Sequence, residues 1–148
     1  LNHAVVNGVK VVQAMSKGQS CISSCRTFDY VSGEPGKKAV VLAMDDYYDR
    51  KKSIEYIGWI YDVDYELLNK EDVVQVIATG PRCYDHKVRL LMAGVPEDKI
   101  SCAEEELDGV DLIKTSDVES VYILYDTSTY NLSCRMKEKL VKNLEVAQ

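Results

Sequence analysis

Two apolar runs predict the centre of a sheet. Residues 38–44 and 73–78 are almost wholly apolar, which is typical of strands buried on both faces of a parallel sheet. Shorter runs at residues 99–103 and 120–125 predict two further strands. Because helical stretches lie between these runs, we expect right-handed crossovers that place the strands side by side and parallel.

The stretches between the strands follow the spacing of helices. A helix is predicted from about Ser20 to residues 32–36, where serine, glycine and proline break it. A helical turn is expected at residues 65–68, and a short helix at residues 105–114. For a helix at residues 84–93, the i, i+3, i+4 and i+7 spacing predicts a buried face made of Val88, Leu91, Met92 and Val95.

Both ends of the chain carry local signals. Asn7 and Gly8 lie between two valine-rich stretches and predict a hairpin with a type I′ turn, which requires positive φ angles. Near the other end, the cap of the last helix is expected among Asp126, Thr127 and Ser128. The apolar stripe of that helix consists of Leu132, Met136, Leu140 and Leu144.

The order of these elements predicts the fold class. We expect an α/β domain of the Rossmann-like, three-layer type with a mostly parallel sheet, preceded by an N-terminal β-hairpin. With 148 residues and 16.7 kDa, the chain has room for a single domain spanning residues 1–148. Since the sequence begins with Leu1 and not with Met, we interpret it as a piece of a longer protein.

Composition and charge argue against a membrane span and against a nucleic-acid partner. The longest apolar runs are six residues, at residues 39–44 and 90–95, whereas a membrane-spanning helix needs about 20. Lys and Arg number 18 against 24 Asp and Glu, a formal net charge of −6. A nucleic-acid surface needs clustered basic residues, but here they are scattered. We therefore predict neither a membrane span nor nucleic-acid binding.

The five cysteines indicate a reducing compartment, and we expect the protein to be cytoplasmic. Cys21 and Cys25 are the one close pair, and their four-residue spacing would place two thiolates near each other on a helix. Neither a second pair nor a nearby histidine completes a zinc set. We therefore predict no metal site and expect both cysteines to pack as small apolar residues.

Candidate chemistry follows the carboxyl ends of the predicted strands, where ligands of open parallel sheets gather. Asp45 and Asp46 end the first apolar strand, and they would either orient a cation or a histidine or cap the next segment. The turn from Thr79 to Arg82 would either receive a phosphate or form an ordinary solvated turn. A third loop covers residues 126–129.

Nucleophilic catalysis within this chain is not indicated. His86 lies three residues after Cys83 in a predicted helix, so the two side chains could touch. No third group that would orient the imidazole is evident from the sequence. We therefore expect His86 to be a surface residue.

Several strings resemble one known family. They are GWIYDVDYELL at residues 58–68, IATGPRCYD at residues 77–85, and the pieces VRL at 88–90 and AGV at 93–95. Together they resemble the C-terminal domain of the Mur-ligase-like subunit of lipid II isoglutaminyl synthase, the MurT type. The hairpin, the loop at residues 16–18 and residues 122–125 fall where that domain has comparable segments. The tryptophan string is the most specific of these.

The resemblance implies a fold of the Mur ligase C-terminal type and a role in cell-wall synthesis. The full family protein is an ATP-dependent ligase that activates the α-carboxyl of the D-glutamate in the lipid II stem peptide. A separate glutaminase subunit supplies the ammonia, and the C-terminal domain docks that subunit. ATP and Mg²⁺ are then expected in the full-length protein, with the remaining Mur ligase domains, and none in this fragment, which we expect to be inactive alone.

The resemblance also implies site residues. In family members an aspartate three residues before the tryptophan completes the glutaminase triad, where it would hold the histidine tautomer. In this chain that position is Tyr56, which cannot serve as the carboxylate. Glu55 and Asp49 are the candidates for its role. The residues expected to face substrate or partner are Asp45, Asp46, Trp59, Thr79 and Arg82.

Two other functions stay open. The chain would be a non-catalytic interaction domain if it kept the fold without the triad carboxylate, and the tyrosine-rich stretch before Trp59 favours such a contact role. The third interpretation is a free-standing binder of anions or nucleotides that uses the Thr79 to Arg82 turn. We expect calorimetry of the isolated domain with ATP, ADP or phosphate to show no measurable heat of binding.

Overall fold

The computed structural model describes residues 2–16, 21–44, 58–147 and the backbone of two short strands between the second and third ranges. In this part of the chain, five α-helices lie against one main sheet, which includes the N-terminal hairpin. The elements are β1 (Asn2–Val6), β2 (Val9–Met15), α1 (Cys21–Gly33), β3 (Lys38–Ala43), β4 (Tyr47–Tyr48), β5 (Lys51–Lys52), α2 (Trp59–Asp62), β6 (Val73–Thr79), α3 (Cys83–Met92), β7 (Ile100–Ala103), α4 (Glu106–Val110), β8 (Ser120–Tyr125) and α5 (Tyr130–Val146). Short 3₁₀ turns cover Tyr65–Leu68, Glu97–Lys99 and Thr115–Asp117.

The main sheet confirms the predicted mostly parallel α/β fold. Its six strands follow the order β1-β2-β8-β3-β6-β7. Only the hairpin of β1 and β2 is antiparallel, and every other neighbouring pair is parallel. The hairpin turns at Asn7 and Gly8 with φ angles of 50° and 81°, the positive values that a type I′ turn requires. The pair β4–β5 forms a separate two-stranded sheet between β3 and α2 along the chain.

The alternation of side chains along β3 divides the core into two layers. Val40 and Leu42 face one side of the sheet and pack with residues of α1, α2, α3 and the 3₁₀ turn Tyr65–Leu68. Val41 faces the other side, where α4 and α5 cover it. All six residues of β3 are buried. The apolar run at residues 39–43 predicts this, whereas the buried Lys38 pairs with Asp72 at 3.0 Å. Each face therefore has its own helical layer, and together with the sheet these give three layers.

The stripe predicted for the last helix is largely confirmed in α5. Met136, Leu140 and Leu144 are buried in the second layer, and Leu132 is partly buried beside them. No helix in the described part of the chain is long and apolar enough to cross a bilayer.

The face predicted for α3 is wrong. Val88, Leu91 and Met92 are exposed, and only Val95, which follows the helix, is buried. The inner face of α3 instead carries the residues Cys83, His86, Arg89 and Leu90. Spacing alone selected the wrong side because two polar residues of this helix are the ones that the domain buries.

The expectation for the cysteine pair is half correct. Cys25 is partly buried and packs against the first core layer, as predicted for a small apolar residue. Burial raises the pKa of its thiol. Cys21 is exposed at the start of α1, so its predicted burial is wrong. Of the two cysteines, only Cys25 contacts the core.

The fit between α4 and the sheet leads to a testable prediction. Gly109 of α4 lies so close to β6 that an added Cβ would stand 2.5 Å from Cγ2 of Thr79. We expect Gly109→Ala to lower the free energy of unfolding by about 1–3 kcal/mol, because the methyl group would push the helix off the strand. Gly33→Ala is the matched control, since nothing lies within 4 Å of its added Cβ. Urea denaturation measures both, and equal effects would contradict the proposed close contact.

Candidate functional site

The carboxyl ends of three neighbouring strands bring the predicted loops to one edge. Ala43 at the end of β3 pairs in register with Tyr125 at the end of β8. On the other side of β3, Leu42 pairs with Ala78 near the end of β6. The segments that follow Met44, Thr79 and Tyr125 therefore start beside one another, in the place where ligands of such sheets bind.

Four residues of the predicted site, Asp45, Asp46, Asp49 and Glu55, lie outside the described residues, and so does Tyr56, the position where the resemblance places an aspartate. The assignment of the four to the catalytic or partner-facing set stays a prediction from the sequence.

The turn after β6 uses its own polar groups. The hydroxyl of Thr79 is fully buried and donates to the carbonyl of Leu42 at 2.8 Å. The N–H of Gly80, which has a φ of 89°, donates to the carbonyl of Ala103, and the N–H of Cys83 donates to that of Gly80. These bonds tie β6 to both neighbouring strands, so the interpretation as a structural turn fits better than a phosphate cradle.

Arg82 stays near this turn. Its Nη1 lies 3.7 Å from Oδ2 of Asp85 on the first turn of α3, and its side chain is 14 % exposed. Of the two residues expected to face substrate from this turn, Arg82 therefore keeps some access to solvent, whereas Thr79 has none.

The first residue of the loop after β8 binds the backbone of that loop through its side chain. Oδ1 of Asp126 accepts the N–H groups of Ser128 at 2.9 Å and of Thr129 at 3.0 Å. The hydroxyl of Ser128 donates to the same oxygen at 2.6 Å. The N-cap position of α5 is Thr129, whose side chain makes no capping bond, so the cap expected among Asp126, Thr127 and Ser128 is wrong. Asp126 binds N–H groups of the turn that precedes the helix. These N–H groups are therefore engaged within the loop.

A cleft of about 750 Å³ lies between the starts of α4 and α5. One wall carries Glu105 and Glu106, and the other carries Asn131 and Arg135. Charges of both signs line it, so the cleft offers no uniformly positive field to a triphosphate. Among the described residues, no group of three or more His, Cys, Asp or Glu side chains is arranged to hold a metal ion.

His86 is fully buried, so its prediction as a surface residue is wrong. Its Nε2 lies 3.0 Å from the carbonyl oxygen of Met44, directly after β3. Its Nδ1 lies 2.7 Å from the hydroxyl of Tyr65 in the 3₁₀ turn that precedes β6. A carbonyl only accepts, so Nε2 carries the proton and the Tyr65 hydroxyl donates to Nδ1. The ring therefore joins the end of β3 to this turn.

Burial keeps both partners of this contact neutral. Desolvation lowers the pKa of His86 from its ordinary value of 6.5 to about 4. Desolvation also raises the pKa of Tyr65, although the nearby Arg89 charge works in the opposite direction. Since neither group ionises near neutral pH, the pair serves as a fixed connection and not as an acid–base couple.

Arg89, one turn further along α3, binds the next part of the same segment. Its Nε donates to the carbonyl of Ile60 at 3.2 Å, and its Nη2 donates to the carbonyl of Val63 at 2.9 Å. The same Nη2 lies 3.0 and 2.8 Å from the two carboxylate oxygens of Glu66. These hydrogen bonds lower the pKa of Glu66. The guanidinium also lies 5.1 Å from the ring centre of Tyr65.

Trp59 belongs to the core and not to a surface. Its side chain is 3 % exposed and packs at the edge of the His86 ring, with 5.9 Å between the ring centres. Within the part of the chain that is described, its indole N–H has no hydrogen-bond partner. The expected contact of Trp59 with substrate or partner is therefore not available to this buried ring, which instead fixes α2 against α3.

Sequence reasoning missed His86 and Arg89 as the residues that organise this edge. Arg89 stands in one of the strings that carry the family resemblance, but no role followed from that. The available signal was the shared face of His86, Arg89 and Leu90 on a helix. The role of that face could be inferred only from the fold, which places the carbonyl groups opposite it.

Replacing the buried histidine tests its neutral state. Between pH 6.5 and about 4 the unfolded chain binds more protons than the folded one, so stability is lost as the pH falls through this window. In the wild type, the free energy of unfolding should decrease by about 3 kcal/mol across this window. We expect His86→Gln to abolish that decrease. Urea denaturation at pH 4 to 7 measures it, with exposed His3→Gln as control. An unchanged slope in His86→Gln would contradict the buried neutral ring.

Replacing the buried arginine tests its hold on the segment. We expect Arg89→Met to lower the free energy of unfolding by about 3 kcal/mol, because two carbonyl groups lose a charged donor. The half-exposed Glu66 adds little to this loss. Lys87→Met on the same helix is the control, since its pair with Glu97 is exposed and contributes about 0–1 kcal/mol. Similar losses in both variants, measured by thermal denaturation, would refute this anchoring role.

Comparison with known proteins assigns the chain to a family. A family model described as MurT ligase C-terminal matches residues 22–131. No curated protein matches the sequence. A solved structure of UDP-N-acetylmuramoylalanyl-D-glutamyl-2,6-diaminopimelate–D-alanyl-D-alanyl ligase from Acinetobacter baumannii is similar in fold, with a TM-score of 0.54 and 14 % identity. The match covers 96 % of this chain and 28 % of that ligase.

The structural similarity shows the fold alone, and the family model shows to which family the chain belongs. The residues that the family model matches make up well over half of the chain. They include β3, β6, β7, β8 and the tryptophan segment, residues 58–68. Both findings agree with the resemblance carried by the sequence strings. The chain belongs to the MurT ligase C-terminal family.

Proposed function

We propose that this chain is the C-terminal domain of an ATP-dependent amide ligase that acts in the cytoplasm. That ligase amidates the D-glutamate of the lipid II stem peptide with ammonia from a partner glutaminase. The observation that carries the proposal is the family match over residues 22–131, which includes the tryptophan segment. The chain spans 28 % of the length of the ligase with the similar fold, so the rest of the activity is assigned to other domains.

Two features of the described loops support placing ATP and Mg²⁺ in other domains. The backbone N–H groups of Gly80 and Thr129, at two of the three loops, are engaged within the domain. Neither loop has the glycine-rich pattern of a phosphate cradle. We therefore assign the nucleotide and its metal to the remaining Mur ligase domains, and to this domain the closure over substrate and the contact with the glutaminase.

The chemistry assigned to this chain is that of a positioning carboxylate. In a glutaminase triad, a carboxylate hydrogen-bonded to the histidine holds the tautomer that accepts the cysteine proton and stabilises the imidazolium. Glu55 or Asp49 would supply it from the segment between Met44 and Trp59. The described ends of that segment support this, because His86 and Arg89 hold them against α3.

The experiment is co-expression of the full ligase chain with its cognate glutaminase, followed by an assay for amidated lipid II with glutamine or with ammonium as nitrogen source. We expect the wild-type pair to use both. One of the two variants Glu55→Ala and Asp49→Ala should lose about 100-fold or more of the glutamine-dependent rate and keep the ammonium-dependent rate. Asp98→Ala, far from this edge, is the control. A pair that forms without amidating lipid II would overturn the proposal.

The second candidate is an interaction domain that keeps the fold and has lost the triad role. The observation that favours it is Tyr56, which stands where the resemblance places an aspartate. In that case both alanine variants keep the full glutamine-dependent rate, which removes these side chains from the mechanism. The same assay therefore separates the two candidates.

A further inference from the structure

Strand β1 forms an open edge of the main sheet. It stands first in the strand order, so β2 is its one neighbour. It pairs with β2 residue for residue over its whole length. Among the described residues, no further backbone hydrogen bond reaches β1 from another element. An edge of this kind presents unpaired N–H and C=O groups to which another strand can bind.

The sequence of β1 lacks the residues that keep edge strands apart. Proteins protect such edges with charged side chains, proline or bulges. The strand reads Asn-His-Ala-Val-Val and contains no proline, lysine, arginine or carboxylate. Val5 is 67 % exposed. The formal net charge of −6 therefore belongs to other elements, and β1 itself does not repel a second strand.

The hydrogen bonds of β2 show which groups of β1 are unpaired. The N–H of Lys10 donates to the carbonyl of Glu119 at 3.0 Å, so it points away from β1. Lys10 faces Val5 in the hairpin register, and facing pairs of an antiparallel ladder alternate between bonded and unbonded. The backbone groups of Val5 and of His3 therefore point away from β2. Each of these two residues offers an N–H donor and a carbonyl acceptor at the edge.

These groups define a self-complementary register. When a second copy of β1 runs antiparallel to the first, His3 can face Val5 of the other copy, and Val5 can face His3. Both pairs are then of the bonded kind, so the outward N–H and C=O groups of both strands find partners. Ala4 lies on the two-fold axis in an unbonded pair, where a small side chain fits. A register shifted by two residues takes His3 or Val5 beyond the end of the partner strand.

A groove of about 460 Å³ runs along the hairpin side of α5. Gln13 of β2 contributes to its lining, and Asn2 of β1 faces Gln13 in the hairpin. The other side of α5 contacts α4, where Lys139 bonds to Asp111 at 2.9 Å. The groove therefore lies above the edge that β1 forms.

The charges of this groove fit a second copy of the chain. Two basic and two acidic side chains line it, namely Lys137, Lys142, Glu138 and Glu145. A two-fold axis perpendicular to the sheet keeps both α5 helices on the same face and turns the two grooves toward each other. Since each groove carries both signs in equal number, each copy can present opposite charges to the other.

We propose that β1 pairs with β1 of a second copy of this chain, antiparallel and centred on Ala4, so that the two main sheets become one continuous sheet. The inference is independent of the proposed function, because none of these residues belongs to the candidate functional site.

The experiment measures molar mass against concentration, by light scattering and analytical ultracentrifugation, for the 148-residue chain and for the full ligase chain. We expect a dimer with a Kd on the order of 10 µM, as for a small interface. Val5→Lys should raise the Kd by about 100-fold, because an edge lysine opposes strand pairing. Val5→Pro should do the same, and the hairpin keeps its bonds because the lost N–H points away from β2.

Val88→Lys is the matched control. This valine is 50 % exposed on α3, which packs beside β6 and β7 at the opposite end of the sheet. The variant should dimerise as the wild type does. Circular dichroism verifies that all variants are folded.

A disulfide tests the register. With a mild oxidant added, Ala4→Cys should form a covalent dimer, because Cα atoms about 4.5 Å apart suit a disulfide. In Asn2→Cys the two new cysteines would stand about 13 Å apart along the strands. This control should therefore cross-link no more than the wild type, which already has the exposed Cys21.

Three outcomes would overturn the proposal. The first is a chain that stays monomeric up to roughly 1 mM, where a Kd 100-fold weaker than expected would still be seen. The second is a dimer that the Val5 variants leave unchanged, or that Ala4→Cys does not link. The third is a full ligase chain that stays monomeric while the 148-residue chain dimerises, since another segment then covers β1. Because no sample contains the glutaminase, each of these leaves the proposed function standing.

Discussion

The main constraint on this domain is the need to satisfy two buried carbonyl groups, one directly after β3 and one in α2. Met44 and Ile60 present carbonyl oxygens toward α3, and His86 and Arg89 donate to them. A buried carbonyl without a donor costs about 1–3 kcal/mol. The domain therefore places a neutral histidine and a charged arginine on a helix face that would otherwise hold apolar side chains. The aromatic rings of Trp59 and Tyr65 then pack around these two residues.

This constraint explains why α3 differs from the other long helices. In α5, burial of the apolar stripe attaches the helix, and Ser133 is the polar residue buried beside that stripe. In α3, attachment depends on a few directed hydrogen bonds together with Leu90 and Cys83. The apolar residues Val88 and Met92 are then not required inside and remain on the surface.

The sequence predicts those parts of the structure that depend on residues close together along the chain. Strand β3 follows from an almost wholly apolar run, and the hairpin follows from Asn7 and Gly8. The cap expected for the last helix is wrong, because Asp126 binds the N–H groups of a turn that precedes the helix. The contact of His86 with Met44 joins residues 42 positions apart, and no periodic pattern contains it. The periodicity rule assumes that apolar residues are the buried ones. It therefore fails on α3, where the bonding needs of a distant segment decide which side is buried.

The same two polar residues connect fold and proposed function. A carboxylate that one chain supplies to the active site of another is effective only if it is held within a fraction of an ångström. Rigid helices hold such groups better than free loops, and His86 and Arg89 attach both ends of the relevant segment to one helix.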